Sequence, residues 1–212
     1  MNVKYTEGEI LEIFKEQHRL CSPLDCEADP TAEITGDMTI REWRWANDLL
    51  GWKKLSEFLN QEFRVQITSD EWHKTLEPAK TRKLIEVCRL LSKYAIKDIY
   101  VPKTLFGKPC LKAAVFLTIK QNLKNKGVDV SELRPSSRFS DYLDRYFSPV
   151  LEEITLTGTK PIDNIETRRK KKGFWNAINI FEPNRYETLT GEIRTFRDLT
   201  EKIIEEKYKN WA

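Results

Sequence analysis

Glycine is scarce in this chain, with eight residues in 212, and no two of them lie close together. A backbone loop that cradles phosphate needs clustered glycines, so nucleotide-driven chemistry is not expected. Histidine is scarcer, with His18 and His73 alone. The four cysteines, Cys21, Cys26, Cys88 and Cys110, are too few and too scattered for a disulfide framework and read as reduced thiols. No apolar run approaches the roughly 20 residues of a membrane-spanning helix, so no membrane partner is expected. The opening "MNVKYTEGEI" is acidic where a secretory signal is basic and then apolar; the expected address is the cytoplasm. Nor is there an excess of one charge: the net is +3.

Apolar residues make up 40%, charged residues 33%, and there are six Trp, the composition of a globular protein with a core. The charge is uneven along the chain. Residues 1–96 carry 14 Lys and Arg against 17 Asp and Glu, and residues 97–212 carry 22 against 16. An acidic half is thus followed by a basic one, and only the second is suited to meet an anion.

The apolar residues recur with helical period between Pro-marked loops. Thr6 with Glu9, Thr39 with Glu42 and Thr68 with Glu71 each spell a capping box ahead of an apolar stripe. Thr39 is expected to open a helix through "IREWRWANDLLGW", with Gly51 able to break or bend it. "LKAAVFLTIKQNLKNKG" reads as a buried helix closed by Gly127, and "SELRPSSRFSDYLDRYFSPVLEEI" as a turn and two short helices, with Ser148 as N-cap of the second. Residues 155–173 read as a loop. "RVQIT" and "IYV" are too short to found a dominant sheet. The expected fold class is mainly α, a helical bundle. Residues 1–96 form an acidic helical half, residues 97–110, with Pro102, Gly107 and Pro109, a linker, and residues 111–212 a basic helical half.

Both halves resemble acyl carrier proteins in outline. "DLLGWKKLSEFLNQEFRVQI" is similar to that family's serine motif and second helix, and "RKLIEVCRLLSKY" to its last helix. "LRPSSRFSDYL" and "RTFRDLTEKIIEE" are the counterparts in the second half. The last helices align with Leu84 over Phe196, Glu86 over Asp198 and Val87 over Leu199, which suggests an internal duplication. The resemblance implies two carrier-like halves packed together. At the place where the family keeps the serine for its phosphopantetheine arm, this chain has Lys53 and Lys54 read by motif, or Leu49 read by distance from Phe63. In the second half Ser148 lies close to that place, but no Asp precedes it and Pro149 follows, so no arm and no other cofactor is expected. "MTIREWRWANDLLGW", "DEWHKTLEPAKTRKLIEVC" and "LRPSSRFSDYL" together also resemble a family of bacterial proteins, a domain of unknown function that brings no activity with it.

Other chemistries have thinner support. His18, Cys21 and Cys26, with Asp25 or Asp29, supply metal-ligand types at imperfect spacing, and no second ligand pair follows; no metal is expected. His73 has no nearby nucleophile, and an enzyme would need it or Cys110 in a cleft. "ETRRKKKGFWNAINIF" places Arg168, Arg169, Lys170, Lys171 and Lys172 beside Phe174 and Trp175, a pattern that neutralises phosphates and stacks on bases. The expected function is a non-catalytic interaction or scaffold module. Its partner is another protein or a second copy, met through aromatic surface at Trp43, Trp45 and Trp52. Nucleic-acid or anion binding through residues 168–172 and Trp175 is the alternative, and an enzyme of unknown class the third.

Overall fold

The computed structural model describes residues 3–105, 107–169 and 186–208. The fold is mainly α, with two small antiparallel ribbons among the described residues. It divides into two compact units, residues 1–99 with 154–158, and residues 100–153 with 159–212.

The first unit is built on α1 (Glu7–Cys21), α2 (Ile40–Ala46), α3 (Trp52–Glu62), α4 (Ser69–Leu76) and α5 (Leu84–Tyr94). All three capping boxes form: the Thr6, Thr39 and Thr68 hydroxyls accept from the amides of Glu9, Glu42 and Glu71, whose carboxylates reach back. Each box satisfies two of the amides that a helix start leaves without an intrahelical acceptor. The apolar stripes so aligned bury Ile10, Ile13, Phe14, Ile40, Trp43, Leu55, Leu59, Trp72, Leu84, Val87 and Leu91 in one core. Asn60 ties α3 to α4, accepting from the Trp72 indole at 3.0 Å and exchanging bonds with the backbone of Ile67. Tyr5 donates to the Leu156 carbonyl at 2.6 Å, and Leu156 joins the same core. The single helix expected from Ile40 to Trp52 is two. Asp48 sits at φ 46, a left-handed conformation that α-helix excludes, so α2 stops at Ala46 and Gly51 caps α3.

In the second unit a hairpin of β1 (Lys103–Leu105) and β2 (Lys108–Cys110) occupies most of the stretch expected as a linker, with Gly107 at φ 77 in its turn. Then come α6 (Leu111–Asn125), α7 (Phe139–Arg145), α8 (Phe147–Thr155), the ribbon of β3 (Glu166–Arg169) with β4 (Tyr186–Leu189), and α9 (Phe196–Tyr208). β3 thus takes up part of the stretch expected as a loop. Ser148 lies inside the first turn of α8 instead of capping it. Ile119, Leu123, Phe139, Leu143, Phe196, Leu199 and Ile203 are buried, and the Phe139 and Phe196 rings meet edge to face at 5.4 Å.

The two units share one backbone frame. In the first, Ile40 N donates to Arg82 O, Leu84 N to Met38 O and Ile85 N to Gly36 O, around a Thr39–Lys83 bridge. In the second, Phe139 N donates to Arg194 O, Phe196 N to Ser137 O and Arg197 N to Pro135 O, around an Arg138–Thr195 bridge. The correspondence of Leu84 with Phe196 therefore has a counterpart in the backbone.

Candidate functional site

Of the three tryptophans expected on an interaction surface, the structure leaves one bare. Trp43 is 3% exposed and packs on the Phe14 ring at 4.9 Å, so it belongs to the core; the same apolar stripe that made it conspicuous in the sequence buries it. Trp52 is half-buried, with its ring edge-on to His73 at 4.8 Å and Lys53 over it. Trp45 is 69% exposed. Trp43 and Trp45 are two positions apart, about 200° around a helix, and that rotation alone sends one inward and the other outward.

Trp45 stands over an open depression of about 480 Å³ lined also by Thr39, Arg41, Glu42 and Lys80. Arg41 lies four residues before Trp45, hence on the same face of α2. Lys80 arrives from the loop before α5, because the Arg41 amide donates to the Ala79 carbonyl at 2.9 Å and pins that loop against the helix. The Glu42 carboxylate is taken up by the cap. It accepts from the Thr39 amide at 2.6 Å and hydroxyl at 2.8 Å, and these bonds, with the charge of Lys83, hold it below its ordinary value. Arg41 and Lys80 have no ion-pair partner among the described residues. The depression is thus an indole flanked by two uncommitted cations. Leu50 and Phe58 are exposed apolar residues on the same unit, at 56% and 38%.

At the start of α3, Gly51 is the N-cap, Lys53 and Lys54 are exposed, and the first turn holds no acidic residue. The one hydroxyl within α3, Ser56, is buried and donates to the Lys53 carbonyl at 2.7 Å. Leu49 is half-buried in the turn before it. Ser148 is exposed on α8.

The remaining sequence candidates do not converge. His18 is buried, its Nδ1 facing the Asn47 amide oxygen at 2.9 Å, while Cys26 is exposed and Cys21 half-buried. No group of three His, Cys, Asp or Glu able to hold a metal occurs among the described residues. His73 is exposed on α4, and Cys110 is half-buried at the end of β2. Arg168 is exposed on β3, in register with Glu187. Arg169 closes that strand, and Lys170, Lys171, Lys172 and Trp175 lie outside the described residues. Among the described residues no helix is long and apolar enough to cross a membrane.

Arg41 and Lys80 escaped the sequence reading. The four-residue spacing of Arg41 and Trp45 was a usable signal. Lys80 had none, because a backbone hydrogen bond between distant segments brings it in. No family model, no curated protein and no solved structure matches the chain.

Proposed function

We propose that this chain is a non-catalytic protein-interaction module built from two carrier-like halves, with the outward face of α2 as its contact surface. The observation that carries this reading is Trp45. A largely exposed indole is costly to keep on a helix face, and aromatic residues beside Arg are what binding surfaces concentrate. The carrier-like reading draws support from the frame shared by the units and from the order of α3, α4 and α5. The non-catalytic reading draws support from the start of α3, where two lysines stand in the place of a loadable serine and Ser56 is turned inward.

A photo-crosslinking residue at position 45, in protein produced in its own host, tests the reading. The expected outcome is a discrete protein adduct from position 45 and none from the similarly exposed position 101 of the second unit, at 65%. Equal labelling from both positions contradicts it.

A further inference from the structure

We propose that the α2 face docks an extended segment of a partner protein in which carboxylates flank an apolar side chain. The inference rests on the interaction reading above and names the chemistry of the partner. Its first support is internal to the molecule. α2 and α7 are each seven residues long and are opened by the same hydrogen-bonded frame, so Trp45 holds the register position of Asp144. In the second unit α7 carries a strand: β4 packs along it, and Thr188 donates its hydroxyl to Asp144, which stays exposed at the strand's edge. Between α2 and α5 the first unit has α3 and α4, whereas between α7 and α9 the chain has α8 and the ribbon, and no strand lies along α2 among the described residues. The frame that carries a strand on one unit carries none on the other among the described residues, and there it displays an indole.

Charge supplies the second support. With Glu42 engaged by Thr39, the uncommitted charges at the depression are Arg41 and Lys80, which call for an anion on the occupant. Trp45 calls for an apolar neighbour to that anion. A polyanion such as nucleic acid fits less well, because Glu42 stands at the rim and residues 1–96 carry 17 acidic against 14 basic groups. β4 and its continuation read "YETLTGE", a sequence in which two Glu flank a Leu, and it supplies the probe.

The full chain labelled with ¹⁵N, titrated with the synthetic peptide YETLTGE, tests this. The Trp45 indole resonance is identified by its loss in W45F. The expected result is a saturable shift of that resonance and of the Arg41 amide. The charge-reversed peptide YKTLTGK should leave both in place, and R41E combined with K80E should weaken the acidic peptide about tenfold or more. These side chains are exposed, and retained dispersion of the spectrum verifies that the variants fold. Equal shifts with both peptides, or none at millimolar peptide, overturn the proposal. So does displacement of the Trp45 resonance by single-stranded DNA alone. Self-association abolished by W45A without any peptide response also overturns it, while leaving the interaction reading of the face intact.

Discussion

Two tryptophans two positions apart have opposite roles, and their variants should separate cleanly. Trp43 fills the core beside Phe14, so W43A should lower unfolding stability by about 3–5 kcal/mol in urea denaturation, through lost burial and a cavity. Trp45 contacts mainly water, so W45A should stay within about 0.5 kcal/mol of the parent while losing the crosslink and the peptide response. Equal destabilisation by the two would show that Trp45 is structural. The cysteines divide in the same way. Burial, with the charge of Glu7, pushes the Cys88 thiol up to about 12, whereas Cys26 is exposed. A disulfide-exchange reagent at pH 8 should therefore label Cys26 in the native protein and Cys88 only on unfolding.

At the scale of elements, the helix starts were legible because a capping box is written in four consecutive residues and needs nothing distant. Thr39→Ala should cost about 1 kcal/mol, as loss of an N-cap does. The Glu42 carboxyl, held low by the Thr39 amide and hydroxyl, and that of Glu71, held low by the Tyr94 hydroxyl and then Thr68, impose a pH dependence. Both sit below the ordinary 4.5 in the folded chain. Their contribution is complete above that value and disappears as pH falls through the lowered ones. Thermal melts should lose stability below about pH 4.5, and E42Q should flatten part of that loss; an unchanged acid limb in E42Q would refute the assignment. The breaks were less legible. The split of α2 from α3 depends on Asp48 adopting φ 46, a conformation that aspartate tolerates better than most residues but that its place in a helical apolar pattern masks. The ribbon of β3 and β4 pairs residues some twenty positions apart through short, mixed-polarity segments, so period-two alternation had too few residues to register.

For the whole molecule, the mainly helical class followed from periodicity and from the want of strands. The division into units did not follow from the linker signal alone. Residues 154–158 belong to the first unit, where Leu156 fills its core and receives the Tyr5 hydroxyl. No local pattern encodes such a return of the chain. A fragment ending at residue 99 should consequently be less stable than the same unit in the full protein, and Y5F in the full chain should cost about 1 kcal/mol. A fragment 1–99 as stable in urea as the corresponding transition of the full chain would contradict that assignment. The candidate site was half legible: Trp45 and its helix face come from α2 alone, while Lys80 and the precedent of β4 on α7 require the folded frame.

The proposed function is that of a module that acts by contact and carries no prosthetic arm. The intact mass of the protein purified from its own host tests this most directly. The expected mass is that of the sequence with no prosthetic group added. A gain equal to phosphopantetheine, located to Ser148 or any other serine, would contradict it.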